Sequence, residues 1–530
     1  MPDHGIFLME TFDVNGLAAG GISTDRLPWT LPPNFLTQGV NFRTFAEFLA
    51  SSGGANLWST APINFFPALP FHVGSTSGDY WLIMGRDAIY AFDGGTWTDV
   101  SSAEGYANIL VNQELLWTAC MLGGIPVVSN PQAQPEYWSP QQISQVMQPL
   151  MFDPGNTWND LQYGAQIFRS HRNFLFALNL VEGNDLLHDS YRWSHPADIN
   201  GLPVTWDETD PAYLAGKAAL GGDGGRIIDG LSLRDAFCMY SERSIDVLDY
   251  TADEFVWRRR NLSSTTGLMS KQSIIEIKGT HFLLTPGDIV SNDGNSIKSI
   301  AHDRIRKKIN ASVDINNYDR CYAVRNNKYK EIWFCVPEPG ETYPTLAFIY
   351  NWKDDSFSIR DLDRDVAISN YGSQSSPIVT WDDLLDSQIW ANQNNPWGSS
   401  GNSPLDDTIV GADPVNGSLY LMDPDEANNL YTTTLERTDL NLTGDGNVTT
   451  LTRAYPRIIG DGEVRMTFGS QDYPGGPVRW GAPIEFVPDD TRKLDFRTTG
   501  VLHCWKLRST DGRNFRFSGM ALEYQMAGTR

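Results

Sequence analysis

Two hairpin patterns about 200 residues apart constrain the fold of this chain more than any other feature of its sequence. In Asp79–Ser101, Trp81, Ile83, Ile89 and Ala91 fall on one side of the period-2 pattern expected of a half-buried strand. Gly85-Arg86-Asp87 separates two runs, and Asp93-Gly94-Gly95 turns the second back toward Thr96–Val100. Asp-Gly takes up the positive φ of a tight hairpin turn at little cost. His281–Asn295 repeats the pattern with one residue deleted, setting Phe282 against Trp81, Asp288 against Asp87, and Asp293-Gly294 against Asp93-Gly94. Recurrent strand-turn-strand units suggest a radially repeated β architecture, a propeller. A β-sandwich that reuses Asp-Gly hairpins is the alternative.

At 530 residues the chain exceeds the size at which one core keeps growing, so two or three domains are expected. The 47 Gly and 30 Pro suit a turn-rich β protein, and long helical periodicity is scarce. The net charge of −24 argues against a free-standing nucleic-acid binder, whose affinity rests on Lys and Arg at phosphates. A chain that surrounds DNA without gripping it stays open. Cys120, Cys238, Cys321, Cys335 and Cys504 lie far apart with no CxxC pair, so neither a disulfide framework nor a zinc site is expected. Folding in a reducing cytoplasm is the simpler reading. Met1–Gly20 has no basic region ahead of an apolar core, and no run of about 18 apolar residues exists, so neither a signal peptide nor a membrane span is expected.

Residues 1–70 read as an extended arm, because the prolines of Asp25–Phe42 hold the backbone in β or polyproline geometry. Thr44–Ser51 is compatible with a short helix carrying Phe45, Phe48 and Leu49 on one side. From 71 to 428, strand-length apolar-aromatic runs alternate with turns, which is the propeller region. Two intervals break the rhythm and read as insertions: Pro126–Gly164, and Tyr371–Val415 with Trp381, Trp390 and Trp397 embedded. From 429 to 530 clean alternation returns, as in a small antiparallel β-domain.

No Walker loop, GxGxxG, HExxH, GxSxG or EF-hand pattern occurs, and the eight histidines never take metal-ligand spacing. Ala91–Trp97 comes close to the Asp-box turn of sialidase-like propellers but lacks its leading Ser and is one residue short. That resemblance implies a hairpin-stabilising turn at Asp93, Gly94, Asp293 and Gly294 rather than a catalyst, and the chain is not expected to be an enzyme. Arg258-Arg259-Arg260 and Arg304–Lys308 are local basic clusters, read as partners of nearby carboxylates at blade edges or as phosphate contacts.

At both ends the chain resembles the tail nozzle (tail hub, or tail tubular) proteins of short-tailed bacteriophages. Leu31–Arg43, LPPNFLTQGVNFR, is similar to their Pro-Pro opening followed by an Asn-x-Arg-like strand. Asn514–Arg530, NFRFSGMALEYQMAGTR, resembles their closing strand with its Ser-Gly run and terminal Gly-x-Arg. Tyr191–Asp207 is similar to a blade segment of that family.

The resemblance implies an all-β fold: a propeller of about six blades with insertions, and a β-rich platform built from the N-terminal arm and the C-terminal region. Trp29, Pro32, Pro33, Phe35, Phe42, Arg43, Gly519, Gly528 and Arg530 are the platform or interface residues it points to. It also implies a structural virion protein without cofactor, catalytic residue or metal, folded and assembled in the host cytoplasm. Six copies would sit in the virion tail below a dodecameric head-to-tail adaptor, beside tail fibres or tailspikes. DNA would pass through the lumen without sequence-specific binding, and the chain would not insert into a membrane. A carbohydrate-binding or carbohydrate-active propeller is the alternative, since 17 Trp and 20 Tyr could line a sugar groove.

Overall fold

The computed structural model describes the chain except residues 1–8, 76–77, 112, 140–145, 199–200, 252–254, 363, 374–406, 425–430, 445, 461, 510–513 and 529–530. Among the described residues, seven four-stranded antiparallel sheets follow one another along the chain. Blades 1 to 6 span Pro67–Asp99, Thr118–Pro149, Tyr163–Ala219, Ile227–Ser263, Ile274–Ser299 and Tyr322–Asp361. Blade 7 takes three strands from Ile368–Met422 and its fourth, Ala55–Thr60, from the N-terminal region. The first strand of each blade packs on the first strand of the next, and Ile368–Ser373 of blade 7 packs back on Pro67–Ser75 of blade 1. The ring is closed. It is a β-propeller, with one blade more than the expected six.

Blades bury both faces because each is sandwiched between two neighbours. This corrects the one-sided reading of the opening hairpin. Trp81 and Ile83 face blade 7, packing with Val410 and Leu419. Ile89 and Ala91 face blade 2, packing with Trp117 and Trp138. The register shows why: Trp81 pairs with Phe92 and Ile83 with Tyr90, so Ile89 and Ala91 stand on the opposite side.

Pro126–Gly164 is not an insertion. It holds the last three strands of blade 2, Ile125–Ser129, Glu136–Tyr137 and Gln148–Pro149, and a small hairpin, Met151–Asp153 with Asn156–Thr157. Short strands split by Pro and Gln hide the period from sequence. In Tyr371–Val415, the ends belong to blade 7 strands Ile368–Ser373 and Asp407–Asp413, while Trp381, Trp390 and Trp397 lie outside the described residues.

A second body is woven from both chain ends. One six-stranded sheet combines Glu10–Asn15, Phe42–Phe45 and Phe48–Ser51 with Val448–Gly460, Leu494–Gly500 and Phe515–Gly528. The other adds Gln38–Val40 to Thr434–Leu440, Val464–Gln471, Arg479–Trp480, Ile484–Phe486 and Leu502–Ser509. The sheets meet face to face, with the Trp505 and Phe517 rings 5.8 Å apart edge-on. Thr44–Ser51 is a hairpin here, not a helix: Phe45 pairs with Phe48 across a turn with Ala46 at φ 52°, and Leu49 pairs with Phe517. Pairing with the C-terminal strand overrides the local helical pattern.

Platform and propeller share one core. Val14, Leu17, Phe42 and Leu49 of the arm pack in the same buried cluster as Leu284 and Ile289 of blade 5, Phe348 and Phe357 of blade 6, and Leu435 and Phe517 of the C-terminal region. The propeller begins at Ala55, so residues 55–70, expected in the arm, belong to blades 7 and 1.

Candidate functional site

Asp93 and Asp293 occupy matching places, each between the third and fourth strands of its blade. Asp93 Oδ1 accepts from the N–H groups of Gly95 and Thr96, at 2.9 and 2.7 Å. Asp293 Oδ1 accepts from Asn295 and Ser296 at 2.9 and 2.7 Å, and these bonds pull its pKa down to about 2. Gly94 and Gly294 follow at φ 96° and 88°. Carboxylates spent on their own turns are scaffolding. Asn351 of blade 6 makes the same turn with Lys353 and Asp354, a third copy that the Asp-Gly search missed because Trp follows it.

Arm residues divide by burial. Phe42 is fully buried, Phe35 half-buried, and Pro32 and Pro33 exposed. Trp29, 42% exposed, lies in the turn Pro28–Thr30 beside Gly475. The turn is held by Arg437, which donates to the carbonyls of Pro28 and Leu31 at 2.9 and 2.7 Å. Burial pulls the Arg437 pKa down to about 10, against the opposing pull of Asp439. Gly519 lies where Glu10–Asn15 runs along the C-terminal strand: a Cβ there would fall 2.1 Å from the Val14 carbonyl oxygen. Gly528 has open space around it, and Arg530 lies outside the described residues.

Arg43 anchors the joint between the two bodies. Its Nε and one terminal nitrogen reach both oxygens of Glu331 on blade 6, at 3.1 and 3.3 Å, and that same nitrogen meets Asp423 at the end of blade 7. Arg360 of blade 6 closes the group, 3.3 Å from the other Asp423 oxygen, with its guanidinium 4.3 Å above the Trp333 ring. The Gly53 N–H and the Trp333 indole N–H donate to Asp423 and Glu331 at 3.1 and 3.0 Å. All four charged side chains are buried. Burial pushes Glu331 above the usual carboxylate range against the pull of Arg43. With two acids matched to two guanidiniums, the cluster is a clamp. Of its members, only Arg43 was among the residues the sequence singled out; Glu331, Asp423 and Arg360 lie about 290–380 positions away and carry no local signal.

One Ser–His–Asp grouping lies between blades 7 and 1. The Ser373 hydroxyl is 3.0 Å from His72 Nε2 and donates to Asp79 Oδ2 at 2.6 Å. In a nucleophilic triad the imidazole takes the serine proton and the carboxylate orients its other nitrogen. Here the acid holds the serine proton, so Nε2–H must donate and cannot act as base. Burial also lowers the His72 pKa. The arrangement locks two blades together.

The basic clusters engage carboxylates. Arg259 and Arg260 bond Asp246 and Asp249 at 3.0 and 2.8 Å, and Arg304 bonds Asp355 at 2.7 Å. Lys307 donates to the Asp25 carbonyl at 3.1 Å, tying the arm to the helix Arg306–Ser312. All five cysteines are buried and unpaired. Among the described residues, no group of three or more His, Cys, Asp or Glu could hold a metal ion, and no helix is long and apolar enough to cross a membrane.

Neither a family model nor a curated protein sequence matches the chain. Solved structures share parts of it. BBS1N, from a complex with ARL6DN, matches with TM-score 0.38 and 8% identity over 71% of this chain and 99% of that one. Hsv2 of Kluyvelomyces marxianus gives 0.31 and 9% over 61% and 71%. A functionally unknown protein from Desulfotomaculum acetoxidans gives 0.31 and 11% over 57% and 90%. Likeness this distant carries no argument about function, and the propeller stands on its own sheet order.

Proposed function

We propose that this chain is a structural subunit of a short phage tail, a tail nozzle protein without catalytic activity. The observation that carries the reading is the platform: both termini interlace in two six-stranded sheets whose core continues into blades 5 and 6. The resemblance at Leu31–Arg43 and Asn514–Arg530 implies that arrangement. A rigid joint suits a part that must transmit load between neighbours in an assembly, and the clamp at Arg43 adds to it.

In this reading six copies form a ring in the virion tail, below a dodecameric adaptor and beside fibres or tailspikes. Their common axis is the conduit for genome ejection. DNA meets a chain of net charge −24 and slides without being gripped. The carbohydrate alternative has less support, because the aromatic rings fill blade interfaces: Trp81, Trp117, Trp138, Trp158, Trp206 and Trp333 are fully buried. Negative-stain imaging of the purified protein, alone and with a dodecameric adaptor, tests the proposal. Six-fold rings are expected, and monomers under both conditions would overturn it.

A further inference from the structure

The segment Ser270–Ser273, leading into blade 5, bonds to residues of or beside blades 2, 3, 4 and 6. Ser270 Oγ donates to the Cys321 carbonyl at 2.6 Å, and the Gln272 carbonyl accepts from Ala323 N–H at 2.8 Å, both at blade 6. Gln272, at φ 60°, donates through its backbone to Asp229 of blade 4 at 2.9 Å, and through Nε2 to the Trp117 carbonyl beside blade 2 at 3.2 Å. Lys271 Nζ reaches the Gln166 carbonyl of blade 3 at 3.1 Å. Ser270, Lys271 and Gln272 line a cavity of about 220 Å³.

Lys271, Arg226 and Arg320 line this cavity, with Asp319 the one carboxylate in its wall. Arg226 is paired with Glu242 at 2.8 Å, and Arg320 donates to the Thr342 carbonyl at 3.0 Å. Lys271 has one neutral acceptor for three N–H bonds, and among the described residues no carboxylate oxygen comes within 4.0 Å of Nζ. The acid that acts on it, Asp229, is committed elsewhere: it holds Arg169 through both oxygens at 2.9 Å and accepts from the N–H groups of Gly230 and Gln272. A half-buried ammonium at a cavity wall with so few partners suits an anionic ligand.

We propose that the cavity binds a small oxyanion, the phosphate or carboxylate group of a small molecule, with Lys271 as its central ligand and Arg226 and Arg320 flanking it. This site stands apart from the nozzle reading and does not depend on it. Burial pulls the Lys271 pKa down to about 8, against Asp229 and with Arg169 and Arg226. The oxyanion pairs with the charged ammonium, so affinity falls as pH rises past that value.

Calorimetric titration at fixed ionic strength tests the site with sulfate as the tetrahedral probe and acetate as the carboxylate probe. Saturable one-site binding of either is expected at pH 7, and the tighter probe names the group. Sulfate does not titrate in this range, so about tenfold weaker binding at pH 9 reads the lysine. Lys271→Met should weaken binding at least tenfold, with Lys271→Arg retaining it. No saturable binding of either anion to the wild type, pH-independent affinity, or equal affinity in a folded Lys271→Met would overturn the proposal. Should Lys271→Met fail to fold, the wild-type pH series decides alone.

Discussion

Arg43 on the N-terminal arm and Glu331 on blade 6, 288 positions apart, face each other through two hydrogen bonds in a site closed to water. Removing one partner strands the other charge in the interior. Arg43→Met is therefore expected to cost about 3–5 kcal/mol in chemical denaturation. Arg43→Met combined with Glu331→Gln should recover part of that loss, and strict additivity in the cycle would deny the coupling.

Gly519 is a contact between the two ends of the chain. Its φ of 151° and the 2.1 Å approach to the Val14 carbonyl leave no room for a methyl group. Gly519→Ala should cost about 1–3 kcal/mol and free Glu10–Asn15 first. Hydrogen exchange will show whether the Glu10–Asn15 amides lose protection ahead of the propeller.

Deleting residues 1–42 removes Val14, Leu17, Ile22, Leu36 and Phe42 from the core shared with blades 5 and 6. The blade 7 strand Ala55–Thr60 stays, yet the exposed apolar surface is too large for a stable free propeller. Aggregation or a markedly lower Tm is expected, read by size-exclusion chromatography and calorimetry. A soluble monomer with unchanged Tm would show the propeller to be independent.

Asp293 stabilises its turn as a carboxylate. With its folded pKa near 2, below the ordinary 3.8, the contribution is present above pH 3.8 and lost as pH falls toward 2. Asp293→Ala should cost on the order of 1 kcal/mol at pH 7 and little near pH 2. The denaturation midpoints of the two proteins at both pH values check this.

Lys271 gives a dependence of the same sign in the alkaline range. Its folded pKa near 8 lies below the ordinary 10.5, so the unfolded chain binds the extra proton between those values. Stability from this group therefore rises with pH between 8 and 10.5, on the order of 2 kcal/mol, because the side chain keeps some contact with the cavity. Lys271→Met should flatten that rise. A rise of the same size in the variant would place its origin elsewhere.

Turn chemistry made the blades legible. Asp93 and Asp293 bond their own next residues, so their role is written within four positions of sequence. Face assignment was harder: Trp81 and Ile89 are both core residues, but of different blade interfaces, and strands buried on both sides lose the alternation that separates in from out. Blade 2 hid because its outer strands are two residues each, Glu136–Tyr137 and Gln148–Pro149. The joint was legible only at Arg43 and Phe42. Asp423 is one of 64 acidic residues, and nothing near it in sequence marks it as the partner of two guanidiniums.

Closing blade 7 with Ala55–Thr60 also sets a timetable for synthesis. The strand that it pairs with begins at Ser418, 358 positions after Thr60. At about 5–20 residues per second, the early strand waits roughly 20–70 s on the ribosome before its partner emerges. Through that interval it is an unsatisfied sheet edge on a nascent chain, open to pairing with the same strand of a neighbouring chain. A slowed ribosome between blades 1 and 7 lengthens the wait, so the yield of native protein depends on how fast the middle of the message is read.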